Sequence, residues 1–293
     1  MTLIILGYVL KRSKFLSDEA WTGMEKLTYF VLFPALLIRT LGNQSLTGTP
    51  WPSMLLVVVG TVMTTVILLI VFRKSLSKND ATFTSIFQGG VRFNTYIAFA
   101  IAQSLYGAAG LAMSSVVAGF MIVLINVWCV LVFVVWGKAK FQGVLAFVKE
   151  IVSNPLIIAC TIGWFLSLSG IGLPFVVGDI LEIVGRAALP FGLLAVGAAL
   201  KLGGIKGQVS PIVTSSLVQF AIKPLVASSL VFFTGLSGIA AAVLIIAFMT
   251  PTAPSAYILA RQLGGDTDTM ASIITVQTLL AFFVMPILGA FLL

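Results

Sequence analysis

Apolar runs of about twenty residues follow one another along nearly the whole chain, parted only by short polar breaks. Each run is long enough for a tilted helix to cross a bilayer. Of the 293 residues, 59% are hydrophobic and 9% charged, against about 25% charged in soluble domains. Such a chain has lipid for a solvent. In lipid every peptide N–H and C=O needs a partner within the protein, which leaves helices and closed barrels. Barrel strands alternate apolar and polar residues in short segments. These runs are continuous, so the expected fold class is an all-α polytopic membrane protein.

The longer runs fall at about 24–42, 52–72, 82–105, 109–136, 151–168, 174–200, 208–234, 237–260 and 268–292. A short one at 2–10 makes ten transmembrane helices. Lys11, Arg12 and Lys14 follow it rather than precede it, which is the wrong order for a signal peptide, so it reads as a clipped first helix from an internal start or a divergent N-terminus. Basic residues gather in alternate loops: Lys11, Arg12, Lys14 and Lys26; Arg73, Lys74 and Lys78; Lys138, Lys140 and Lys149; Lys201 and Lys206; Arg261. These 13 of the 17 basic residues mark one side as cytoplasmic and put both termini on the other. The same loops explain the net charge of +8 without nucleic acid, since no basic stripe carries interleaved aromatics. The expected location is an integral membrane one.

Chemistry is constrained by what is missing. Histidine is absent, and Cys129 and Cys160 both lie inside apolar runs as small core residues. Zinc sites and histidine-based catalysis are removed from consideration, and no paired carboxylate or activated nucleophile stands at mid-membrane. Neither an enzyme nor a metal site is expected.

The two halves resemble each other. Pro34 and Pro190 match at an offset of 156, Met113 and Met270 at 157, and Tyr96 and Tyr257 at 161. Five helices per repeat is an odd number, so the second copy must be inverted, an arrangement typical of secondary transporters. The halves are 1–136 and 150–293, joined by a short cytoplasmic linker at 137–149. Polar interruptions stand in matching helices, the fourth and the ninth. "GGVRFNTY" places the helix-weakening pair Gly89 and Gly90 before Arg92, Asn94, Thr95 and Tyr96, and "MTPTAPSAY" places Pro251 and Pro254 three residues apart around Thr252, Ala253 and Ser255. Proline lacks the N–H and clashes with the preceding turn. A broken helix offers bare N–H groups and a positive dipole end, both favourable to an anion. Arg92 adds a planar fork suited to carboxylate, at a burial cost of at least ~2.5 kcal/mol. The substrate-binding set is therefore Arg92, Asn94, Thr95, Tyr96, Thr252, Ala253 and Ser255, with Gly89, Gly90, Pro251 and Pro254 as helix breaks. Glu182 and Arg186 form an i,i+4 pair at the outer edge, Asn126 and Gln277 read as interhelical links, and Lys223 either snorkels outward or lines the path.

The sequence resembles the auxin efflux carrier family in its bacterial, malonate-type branch. The likeness rests on "GYVLKRSKFLSDEA", "LTYFVLFPALLIRTL", "RFNTYIAFA", "AALPFGLLAVGAAL" and "PTAPSAYILARQLGGD", in that order. It implies helices 1, 2, 6 and 7 as a scaffold, helices 3–5 and 8–10 as a transport domain, broken helices 4 and 9 crossing at the substrate site, elevator-type alternating access, and a homodimer through the scaffold. In the plant carriers a proline–asparagine pair marks the helix 4 crossover. Here Arg92-Phe93-Asn94 stands in its place without proline, which implies a milder break. The expected function is secondary transport, by export or exchange, of a small organic anion such as a mono- or dicarboxylate. A non-transporting membrane sensor or scaffold with the same fold is the alternative. No cofactor is expected; H+ and Na+ both stay open as coupling ions.

Overall fold

Proline and glycine, more than hydropathy, decide where the helices of this protein stop. The computed structural model describes residues 2–43, 49–137, 152–173, 175–201 and 207–293, and among them regular structure is entirely helical. All but Gly137 of the linker expected at 137–149 lies outside the described residues, together with Lys138, Lys140, Lys149 and Lys206.

The helices are α1 (Thr2–Arg12), α2 (Asp18–Leu27), α3 (Phe33–Gly42), α4 (Trp51–Val71), α5 (Arg73–Leu76), α6 (Asp80–Val91), α7 (Thr95–Trp136), α8 (Pro155–Ser169), α9 (Phe175–Arg186), α10 (Ala188–Ala198), α11 (Val209–Leu217), α12 (Lys223–Thr234), α13 (Gly238–Met249), α14 (Ser255–Gln262) and α15 (Thr267–Leu292). Among the described residues five stretches are long and apolar enough to cross a membrane: Trp51–Val71, Asp80–Trp136, Val176–Ala198, Val209–Thr234 and Thr267–Leu292. Pro155–Ser169 and Gly238–Met249 are shorter apolar helices. Phe232, Phe233, Phe283 and Phe291 are exposed, which costs nothing where the solvent is hydrocarbon.

Two wide π turns join helices end to end. One at Thr28–Leu32 links α2 to α3, and one at Val218–Ile222 links α11 to α12. Pro34 and Pro224 each stand just beyond, and a proline cannot complete the α ladder behind it. The ladder widens instead: the Phe33 N–H reaches the Thr28 carbonyl and the Lys223 N–H the Val218 carbonyl, five residues back. At Pro190 the rod is interrupted at Ala187, between α9 and α10.

Gly107 has φ of +60° and ψ of −145°, a conformation closed to residues with a Cβ. There α7 reverses, so that Gly110 lies against the Ala102 carbonyl. A straight helix would hold those residues about 12 Å apart.

The packing divides the described helices into two groups. In one, α3 lies on α8 and α9, and α1 lies on α10. In the other, α7 packs on α13 and α4, α12 on α4, and α6 on α11 and α15. α7 also touches α3, α8 and α10, and so joins the groups. The contact of α1 with α10 is backbone on backbone. A Cβ on Gly7 would strike the Leu194 carbonyl, and one on Gly197 the Ile4 carbonyl. Small residues permit such close approach in lipid, where dispersion must hold helices together. Gly197→Val must push α1 away, and we expect the thermal unfolding midpoint of detergent-solubilised protein to fall by at least about 2 °C.

Candidate functional site

Two helix breaks meet at the centre of the second group. α6 ends at Val91, and Arg92, Phe93 and Asn94 run extended before α7 begins at Thr95. α13 ends at Met249, and Thr250 to Pro254 lead into α14 at Ser255. Asn94 N–H donates to Thr250 Oγ1 at 3.1 Å, so the breaks are in direct contact. The first break lacks proline. Asn94 starts α7 as its N-cap, its Oδ1 accepting from the Ile97 N–H at 3.2 Å.

Gly89 and Gly90 do not break the helix; both lie inside α6. Their role is close packing. A Cβ at Gly89 would meet Ile273 and Ser215, and one at Gly90 would meet Val218 and Leu69. Pro251 lies within the second break and Pro254 forms the cap of α14.

The last carbonyls of a helix need partners, and in a bilayer water cannot supply them. At the end of α6 the Gly89 carbonyl accepts from Thr252 Oγ1 and Gln277 Nε2, both at 2.9 Å. The Val91 and Arg92 carbonyls accept from Lys223 Nζ at 3.2 and 3.0 Å. At the end of α13 the Ala247 carbonyl accepts from Thr250 Oγ1 at 2.8 Å, and the Thr250 carbonyl from Gln219 Nε2. Gln277 Oε1 also accepts from the Thr252 N–H at 3.0 Å. Lys223, expected to snorkel or line a path, is instead 1% exposed and bonded to the backbone. Gln219 carried no signal in the sequence, being a single polar residue in an apolar run, and Thr250 stood within the proline-marked break without being singled out. Gln277 was legible only as a link between helices.

The expected binding residues divide by what they touch. Thr252 is committed on both N–H and hydroxyl to holding the crossing together. Arg92 is 8% exposed; Nη1 donates to Ser255 Oγ at 3.3 Å and Nη2 to Asn126 Oδ1 at 3.0 Å. Its Nε, and Nδ2 of the fully buried Asn94, have no hydrogen-bond partner among the described residues. Thr95, Ala253 and Ser255 are half-buried. Tyr96 stands edge-on to Phe33 of the other group at 4.9 Å between ring centres. Tyr257, its counterpart in the second half, lies under Lys201 with Nζ 4.9 Å from the ring centre. A cleft of about 370 Å³ opens between the groups, lined by Leu36, Gln103, Ser104, Arg186, Leu189 and Pro190 among others. Beside it, the expected Glu182–Arg186 pair is present, and Glu182 also binds Arg39 at 3.0 Å, a partner the sequence did not announce.

The charge balance is one-sided. Among the described residues no carboxylate pairs with Arg92 or Lys223. The N-terminal ends of α7 and α14 add positive dipole ends beside Arg92. What this arrangement can do is hold negative charge.

An all-helical protein built of apolar segments around such a crossing belongs to the class of integral membrane proteins that move solutes. The comparisons sharpen this. The profile of a family described as "Membrane transport protein" matches residues 1–288, and the chain belongs to that family, which includes the auxin efflux carriers its motifs resemble. It is also similar to an uncharacterized transporter of Methanothermobacter thermautotrophicus, 21% identical over 291 residues, which span 98% of this chain and 94% of that one.

Asp266, in the loop before α15, ties the start of α6 to the start of α15. Thr82 Oγ1 donates to its Oδ2 at 2.9 Å, Ser85 Oγ to its carbonyl at 2.8 Å and the Thr269 N–H to its Oδ1 at 3.0 Å. Partial burial pushes the carboxyl up, but the Thr269 and Thr82 donors outweigh it, and the group sits below the usual carboxylate range. A lowered folded value gives stability above the ordinary pKa of about 3.9, lost as pH falls through the folded value. We expect Asp266→Ala to cost about 1 kcal/mol at pH 7. The gap from wild type in thermal midpoint should narrow as pH falls below about 4.

Proposed function

We propose that the protein is a secondary transporter of small organic anions, mono- or dicarboxylates, working by elevator-type alternating access. One observation carries this reading: among the described residues the crossing gathers two buried basic side chains without a carboxylate and presents unpartnered donors, Arg92 Nε and Asn94 Nδ2, beside two helix N-termini. A buried positive site of this kind favours an anionic ligand. Arg92, Asn94, Thr95 and Ser255 are the residues assigned to substrate, and Thr252 becomes a fastening of the crossing.

The group of α1–α3 and α8–α10 serves as scaffold and the remainder as the moving body. The ten spans are then 2–12, 18–42, 51–71, 80–106, 108–136, 155–169, 175–198, 209–234, 238–262 and 267–292, in two inverted repeats. Packing within each group is close, and the groups touch through α7 and flank a cleft, which supports a sliding boundary there. The distribution of basic residues supports termini on the non-cytoplasmic side, and the family likeness supports the bacterial inner membrane.

The test is counterflow in proteoliposomes with labelled dicarboxylates and monocarboxylates, paired with anion-induced shifts in thermal midpoint. Arg92→Ala removes charge-assisted bonds worth ~1.5–3 kcal/mol, so affinity for the transported anion should fall at least about tenfold. Arg92→Lys keeps the charge but not the fork and should fall between. Unchanged affinity in Arg92→Ala removes Arg92 from the site; binding without counterflow favours a sensor.

A further inference from the structure

Lys223 is the most deeply buried charge in the described structure, and the anion-binding reading leaves it unused. Its Nζ has three N–H bonds and three acceptors: the Val91 carbonyl at 3.2 Å, the Arg92 carbonyl at 3.0 Å and Gln219 Oε1 at 2.9 Å. Gln219 cannot turn away, because its Nε2 is held by the Thr250 carbonyl of the other break. The Phe248 ring covers the ammonium from one side at 5.9 Å. No carboxylate neutralises it among the described residues. The compensating charge is the negative end of the α6 dipole.

An unwound helix end inside a membrane carrier, with carbonyl oxygens converging on one point, is the setting that holds a sodium ion or a proton. Carbonyl cages of this sort replace the hydration shell of a monovalent cation. Here the point of convergence carries a tethered ammonium. We propose that Lys223 is a built-in substitute for a coupling cation: it fills the carbonyl cage at the end of α6, so the crossing is assembled without sodium. This rests on reading the crossing as a carrier's substrate site. A donor tethered to the chain steadies the break in every stage of the cycle. A dissociable ion would make that steadiness conditional on its concentration.

The experiment uses full-length protein in detergent and in proteoliposomes. Thermal midpoints are measured in sodium, potassium and N-methylglucamine chloride at constant ionic strength. Wild type should give the same midpoint in all three. Lys223→Ala should unfold earlier in N-methylglucamine and recover saturably with sodium, by about 2–4 °C at tenfold excess over the dissociation constant. A saturable sodium-dependent rise in wild type overturns the proposal, as does a Lys223→Ala protein indifferent to the cation. If Lys223→Ala cannot be purified, Lys223→Gln takes its place with the same two outcomes. Counterflow in the same vesicles keeps the two ideas apart. Anion counterflow that needs sodium in wild type defeats only the Lys223 assignment, whereas no counterflow for any anion defeats the carrier reading whatever the midpoints show.

Discussion

A peptide group inside hydrocarbon must be hydrogen-bonded by the protein itself, and the crossing of α6–α7 with α13–α14 is built around that demand. Each break frees carbonyls and N–H groups at the depth where leaving one bare costs several kcal/mol. The protein answers with side chains from neighbouring helices. Gln277 and Thr252 close on the Gly89 carbonyl, Lys223 on Val91 and Arg92, and Gln219 on Thr250. These residues are invested in geometry. What remains uncommitted, Arg92 Nε and Asn94 Nδ2, is what can face a ligand. Support and recognition are thus separated within a few ångströms.

Much of this was legible in the chain. A lone proline is tolerated inside α15, at Pro286, but Pro251 and Pro254 stand three residues apart and remove two ladder bonds within one turn, which made the second break legible. Arg92 and Asn94 stood out because charged and amide groups are rare in a run otherwise free of them. What the residues could not reveal was which polar groups would reach the break. Gln219 and Lys223 occupy a rod whose apolar character is nearly continuous, and an isolated polar residue in such a run has no period to read. Their destination depends on how α11 and the π turn pack against α6, which is a tertiary fact. Gly89 and Gly90 misled in the opposite direction. Two glycines in a row weaken an isolated helix, but in α6 they buy contact with Ile273 and Val218, and tertiary packing overrides propensity.

The same logic accounts for the two groups of helices. In the first, Gly7 and Gly197 bring α1 and α10 together at backbone distance, and α3 lies between α8 and α9. In the second, the ties are polar and central. The boundary between them is thinner: beside the aromatic contact of Tyr96 on Phe33 it is crossed by hydrogen bonds from Thr40 Oγ1 to Ser115 Oγ at 2.9 Å and from the Lys201 N–H to Thr275 Oγ1 at 3.0 Å. Sliding there breaks those bonds, whereas parting the crossing bares every carbonyl and N–H that Gln219, Lys223, Thr252 and Gln277 hold.

The π turn at Val218–Ile222 has a bearing beyond its own bonds. By holding one extra residue it advances everything after it by about 100° around the rod axis. Ser215 and Ile212, ahead of the turn, are buried, and so are Pro224 and Ala227 behind it, yet no single α-helical stripe runs through all four. The rod is phased twice, once for each of its halves. Deleting a single residue there would remove that extra step and swing the second half to a new azimuth, carrying the ammonium away from its carbonyls while the hydropathy profile of the chain barely changed.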